Sequence, residues 1–341
     1  MTVRLLPRLC LLLALLIGAG VTRAAEAVTI RMGTILPSGT PQYQILQAMI
    51  EQWRKDSGGA VKVILYPDGR LGGESEMVKK MRIKQLGAGV LTAVGLAEID
   101  RGVAGLQLMP MAFRTWEEID YVREKLRPVL EERLRAKGYE VLFWADAGWV
   151  RFFSKTPGVR PADYRAMKLF TWSGDLKQAD IMRAAGYRPV SLETTDILLG
   201  LKTDMINAIP VPPLIALAGQ FYTPAPHMLE LNWGPIVGAT VVRTDLWEKI
   251  PADVRTQLRA AAEAAGEKAR LQGRRESEEA VKAMQARGLQ VHTVPAEAQP
   301  EWDALVTQLN ARVRGELVPA EIFDAVQQHL ADFRRTGGTQ P

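Results

Sequence analysis

Short β-branched, apolar runs alternate with longer segments of helical apolar spacing along almost the whole chain, and this alternation constrains the fold more than any other feature. Residues 28–35 (VTIRMGTI), 61–66, 90–94, 140–144, 149–153, 168–172, 206–211, 233–242 and 289–294 read as strands. Between them, 42–55, 74–86, 115–137, 176–185 and 194–201 carry apolar residues at helical intervals, and 251–288 reads as one long, alanine-rich, charge-laced helix with a bend near Gly266 or Gly273. Two more helices finish the chain. Turns such as Pro67-Asp68-Gly69 and the stop Gly58-Gly59 punctuate the series. Strand–helix alternation of this kind argues for an α/β fold with largely parallel sheets. It continues past the capacity of one sheet in 341 residues, so two lobes are expected, with crossovers near 146–148 and 232–235.

The N-terminus reads as an export signal. Arg4 and Arg8 precede an apolar run over 9–21, too short to span a bilayer, and the small-residue site Ala25-Glu26-Ala27 follows. Cleavage before Val28 removes residues 1–27, including Cys10, the one cysteine, so the mature chain needs no disulfide. Loss of Arg4, Arg8 and Arg23 against Glu26 also lowers the +5 formal charge. A soluble periplasmic protein is expected, with a frayed Gly337-Gly338-Thr339-Gln340-Pro341 end.

Enzyme signatures are sparse. There is no phosphate-binding loop and no Gly-x-Ser-x-Gly elbow. Gly87-Ala88-Gly89 lacks the third glycine of a dinucleotide loop and reads as a turn. The three histidines (His227, His292, His329) are scattered, His227 reads as a hydrogen-bonded structural residue, and no metal or cofactor is expected. Arg274-Arg275 sits among Glu276, Glu278 and Glu279, which reads as a solvated helix face and not a nucleic-acid patch.

The aromatic residues say more. Trp144, Trp149, Trp172 and Trp233 cluster near the expected crossovers. Alternation along a strand places Trp149, Arg151 and Phe153 on one face and Val150 and Phe152 on the other; Phe170 and Trp172 share a face. The first set, with Phe170 and Trp172, would give an interlobe cleft aromatic walls and one guanidinium, unless the rings are simply core.

An ordered series of motifs resembles the extracytoplasmic solute receptors of TRAP (tripartite ATP-independent periplasmic) transporters, the DctP type. It comprises Met32-Gly33-Thr34, the turn Tyr66-Pro67-Asp68-Gly69-Arg70-Leu71-Gly72-Gly73, Phe153-Ser154-Lys155-Thr156-Pro157, Pro161-Ala162-Asp163 leading into Lys168-Leu169, and the segment from Leu201 to Asn207. The resemblance implies a two-lobed, type II periplasmic-binding-protein-like fold with a hinge and a long helix spanning both lobes. Lobe 1 would take residues 28–147 plus 235–275, and lobe 2 residues 148–234 plus 276–341. It also implies capture of a small organic solute between the lobes and delivery to the membrane subunits of a TRAP permease, by a monomer without catalysis.

Departures from the family pattern bear on the site. The family's arginine after the Lys-Leu pair is Phe170 here; a second arginine falls at Trp149, and an asparagine at Val211. Burying a carboxylate without a paired cation costs several kcal/mol, so the usual carboxylate clamp is expected to be missing. Arg151 either compensates or the solute is flatter, more apolar or aromatic. Thr34, Glu74 and Thr92 match positions that face ligand in relatives, and Tyr43 either closes the cleft or staples its helix to the sheet. Glu74 alternatively serves as a helix-start carboxylate. The candidate binding set is therefore Thr34, Tyr43, Glu74, Thr92, Trp149, Arg151, Phe170, Trp172, Val211 and Trp233. Two other readings stay open: a sensing module for a receptor kinase, and an exported enzyme pairing Glu74 with Asp175 or Asp146.

Overall fold

The computed structural model describes residues 27–173 and 175–337; the expected export signal and the last residues of the tail lie outside them. Nine strands are formed among the described residues: β1 (Val28–Thr34), β2 (Val61–Tyr66), β3 (Ala88–Thr92), β4 (Tyr139–Ser154), β5 (Lys168–Trp172), β6 (Arg188–Leu192), β7 (Ala208–Val211), β8 (His227–Arg243) and β9 (Gln290–His292). Their hydrogen-bonded order is β2-β1-β3-β8-β4-β7-β5-β6, with β9 on β8. The flanks β2-β1-β3 and β7-β5-β6 are parallel, as strand–helix alternation predicts. The centre is not: β8 runs antiparallel to both β3 and β4, and β4 antiparallel to β7. Two strands of 16 and 17 residues thus cross from one lobe to the other.

The helices are α1 (Pro41–Asp56), α2 (Glu74–Arg82), α3 (Ala93–Ala97), α4 (Trp116–Ala136), α5 (Pro161–Ala166), α6 (Leu176–Ala184), α7 (Ile197–Lys202), α8 (Pro213–Ala218), α9 (Thr244–Trp247), α10 (Ala252–Gln285), α11 (Gln299–Arg312) and α12 (Ala320–Arg335). Local chemistry sets their ends. The Thr40 hydroxyl accepts from the Tyr43 N–H and Pro41 opens α1, while Gly58 and Gly59, both at positive φ, stop the chain beyond it. Thr115 caps α4 in the same way, with Glu117 and Glu118 in its first turn. Helix α1 buries Leu46, Met49 and Trp53 against the β1–β2 flank and the start of α10.

Helix α10 is the long helix expected, an unbroken 34 residues. Its first half puts Leu258, Ala262 and Ala265 into the core around β1 and β2, and its last turns put Val281 and Met284 into the core around β5 and β7. Its two glycines mark close approach to β4. A Cβ on Gly266 would lie 2.6 Å from Phe143 Cβ, and one on Gly273 2.4 Å from the Asp146 carbonyl oxygen. Backbone cannot yield as a side chain can, so Gly273→Ala is expected to lower stability by about 1–3 kcal/mol, read as a fall in denaturation midpoint at unchanged slope.

The structure corrects the sequence reading at several points. Segments 140–144 and 149–153 are one strand, β4. What reads as a loop between them is a bulge, where Asp146 pairs with Val237 but Trp149 with Pro235. Gly148 sits there at φ 103, and a Cβ on it would meet Ser277 Oγ at 2.5 Å. Strand β6 was not expected, because it is a short edge strand carrying Pro189. Arg274 is not on a solvated face: its side chain is 14% exposed and bridges Asp120 (2.6 Å) and Asp146 (2.5 Å).

Candidate functional site: an aromatic-walled cavity at the lobe junction

Loops at the C-terminal ends of parallel strands are where clefts form in α/β sheets. The ends of β3 and β5 face each other here, and a cavity of about 70 Å³ lies between them, room for a few water molecules. Val94 at the start of α3 and Gln107 just after the 3-10 turn at Arg101–Leu106 form one wall. Phe170, Thr171 and Trp172 of β5, with Gln178 of α6, form the other. The crossing strands supply the floor through Val150 and Phe152 of β4 and Trp233 to Ile236 of β8. No lysine, arginine, aspartate or glutamate is among the lining residues.

Aromatic packing holds the walls rigid. Phe170 and Trp172 meet edge to face with centroids 4.9 Å apart. Trp233 meets Phe152 edge to face at 5.3 Å, and Phe152 leans on Tyr164 and Trp302. Such pairs add to the burial term and fix ring orientation. The Trp302 indole N–H donates to the Val159 carbonyl at 2.9 Å, anchoring the base of the stack.

Of the ten residues singled out in the sequence, the structure brings Phe170, Trp172 and Trp233 together around this cavity. The alternation along β4 is as expected, but the face turned to the cavity is the other one, that of Val150 and Phe152. Trp149 lies buried on the far side, 4.8 Å from the Trp116 ring. Arg151, also buried, is held by Glu230 at 3.3 Å and Glu278 at 3.4 Å. Val211 belongs to the core between β5, β7 and α10. Glu74 and Thr92 meet each other: the carboxylate accepts from the Thr92 N–H (2.8 Å), the Thr92 hydroxyl (2.7 Å) and the Gly95 N–H (2.8 Å), capping α3. Burial pushes the Glu74 carboxyl up, against the pull of these donors. The buried Thr34 hydroxyl accepts from the Leu36 N–H at 3.0 Å. Tyr43 is half-buried on α1, its hydroxyl accepting from Gln47 at 3.0 Å.

The sequence reading missed Gln107, Gln178, Val150 and Phe152. Gln107 had a signal: a lone polar residue inside the apolar run Leu106-Gln107-Leu108-Met109. His227 hydrogen-bonds to His292, Nδ1 to Nε2 at 3.0 Å, across the β8–β9 pair, which is the structural role read for it.

Parallel flanks joined by two long crossing strands, a helix running along both lobes and a cavity at their junction define the two-lobed solute-receptor class. The chain belongs to the DctP family, bacterial extracellular solute-binding protein family 7, whose model matches residues 32–315. The family is one of receptors, not of enzymes. The chain is 27% identical over 337 residues to the C4-dicarboxylate-binding periplasmic protein DctP of Rhodobacter capsulatus, covering 97% of this chain and 100% of that one. Its fold matches DctP7 of Bordetella pertussis, an extracytoplasmic solute receptor binding pyroglutamic acid (TM-score 0.79, 17% identity, 91% of this chain and 100% of that one). It also matches a TRAP periplasmic solute-binding protein of Ralstonia eutropha H16 with bound (S)-2-acetolactate (TM-score 0.81, 16% identity, 89% and 99%). No helix among the described residues is long and apolar enough to cross a membrane.

Proposed function

We propose that this chain is the periplasmic receptor of a TRAP-type secondary transporter, exported after loss of residues 1–27. It captures a small organic solute between a lobe of 28–147 plus 235–275 and a lobe of 148–234 plus 276–341, and as a monomer presents it to the permease membrane subunits. The observation that carries this reading is the cavity at the lobe junction, walled by Phe170, Trp172 and Trp233. At about 70 Å³ it is smaller than the several hundred Å³ of a typical ligand site, so the lobes part to admit a solute and shut on it.

The relatives named above are described with dicarboxylate, pyroglutamic acid and acetolactate, all carboxylic acids. This cavity has no cation to meet a carboxylate: Phe170 stands where the family pattern has an arginine, and the charge of Arg151 is already answered by Glu230 and Glu278. The usual clamp is therefore absent, and the solute is flat and weakly charged or neutral. Catalysis by a carboxylate pair finds no support, since the Glu74 carboxylate accepts three hydrogen bonds within its own lobe, that of Asp146 is paired with Arg274 and Arg123, and that of Asp175 caps α6 by accepting from the Gln178 N–H.

A thermal-shift screen of the mature protein against organic acids, phenolics, aromatic amides and amino acids tests this. A solute present at 100 times its Kd stabilises the native state by about 2.7 kcal/mol. The same preparation, denatured and examined by mass spectrometry, identifies any solute carried through purification. A full panel with no stabilisation and no released solute would refute the receptor reading.

A further inference from the structure

The geometry points to Gln107 as the residue that orients the solute, and to an uncharged, ring-bearing compound with a carbonyl-type acceptor as the solute's chemical class; this rests on the receptor reading above. Gln107 is only 9% exposed, yet it lines the cavity. Its Oε1 accepts from the backbone N–H of Val237, on the crossing strand β8, at 3.1 Å. A backbone N–H can only donate, so this bond fixes which branch of the amide is oxygen. The Nε2 branch, with two N–H groups, donates to no atom of the protein among the described residues, and it is not sealed off. The segment cannot drift away: the Gln107 carbonyl lies 2.9 Å from where a Cβ on Gly234 would stand, which seats it against the floor of the cavity.

The other lining groups narrow the class. On the facing wall the Thr171 hydroxyl is shared with Ser191 at 3.1 Å, which leaves the Gln178 amide and the indole N–H groups of Trp172 and Trp233 as the other lining side-chain groups without a protein partner among the described residues. Phe170, Trp172 and Trp233 offer ring surface. A carboxylate set against Gln107 would gain its N–H groups but find no counter-charge, whereas an amide, lactam or ketone oxygen gains the same bonds without the cost of burying an ion. A preorganised buried donor also penalises any ligand that lacks an acceptor at that point.

Calorimetric titration of the wild-type protein with three matched probes, benzamide, benzoate and toluene, tests the class without any variant. Benzamide is expected to bind at least ten-fold more tightly than either of the others. Gln107→Glu at about pH 8 then tests the residue, since a carboxylate there still accepts from Val237 but presents an acceptor, not a donor, to the solute. It is expected to weaken benzamide binding ten-fold or more in the folded protein, read well below a melting temperature that the unpaired carboxylate itself lowers. Benzoate binding as tightly as benzamide, or Gln107→Glu binding benzamide like the wild type, overturns the inference and leaves the receptor reading standing. Binding of other organic acids but of none of these three probes has the same consequence. A wild-type protein that binds neither the probes nor any member of the wider panel takes the receptor reading down with it.

Discussion

Replacing Arg274 by methionine is expected to lower folding stability by about 3–5 kcal/mol, the usual cost of leaving a buried charge with its main partner removed. Asp146 sits at the bulge where β4 crosses between lobes, and its side chain is wholly buried. Arg274 reaches it at 2.5 Å and Asp120 at 2.6 Å, with its guanidinium stacked 4.5 Å from the Trp116 ring. Without it, Asp146 keeps only Arg123, at 3.4 Å, while Asp120 keeps Arg123 and Arg270, both at 2.8 Å. The loss therefore falls on Asp146. Burial already pushes that carboxyl up, and the two guanidiniums oppose the push. A carboxyl whose folded-state pKa exceeds its unfolded one takes up a proton on folding, so the penalty in Arg274→Met is full above the folded value. It fades as pH falls and is gone below the unfolded value near 3.8. The double variant Arg274→Met, Asp146→Ala should recover part of the loss, because the orphaned charge is gone. Chemical denaturation of the four proteins decides the matter. A double variant as unstable as the sum of the singles would mean that the arginine acts by packing on Trp116 and not by charge.

This network shows where a sequence stops being readable. Helical and extended periodicity depends on near neighbours, so β1, β2, β5, α1, α4 and α10 could be located within a residue or a few. A bulge depends on what lies opposite. Nothing local in Ala145-Asp146-Ala147-Gly148 distinguishes a loop from a strand that gains one residue against its partner, and the deciding contact is with Ser277, far along the chain. Arg274 was misread for the same reason: glutamates two, four and five residues away suggest a solvated face, and the two aspartates that hold it come from α4 and β4.

The candidate site was legible in its aromatic character more than in its membership. Tryptophans crowding the crossovers pointed to aromatic walls, and Phe170, Trp172 and Trp233 do meet at one cavity. Period-two alternation separates the faces of β4 but cannot say which one looks into the cleft, because that is set by the lobe packed on each side. Family matching placed Glu74 and Thr92 near a ligand; their mutual hydrogen bonds give them a full local occupation as the cap of α3.

Two tryptophans treated alike in the sequence are expected to part company on mutation. Trp172 is half-buried, lines the cavity and packs edge to face on Phe170 alone among the rings. Trp172→Ala should weaken solute binding ten-fold or more, about 1.4 kcal/mol, at a modest cost in stability, because part of that ring is already open to solvent. Trp149 is 4% exposed, packed at a tilt of 40° on Trp116, over which Arg274 lies, and turned away from the cavity. Trp149→Ala should cost about 3–5 kcal/mol of stability and leave the affinity of the molecules that remain folded unchanged. Calorimetry and denaturation on both variants, with a solute found by the screen, separate the two outcomes. Equal loss of affinity in both would mean that the cleft, once open, turns the Trp149 face inward; no loss in Trp172→Ala would move the binding surface away from β5.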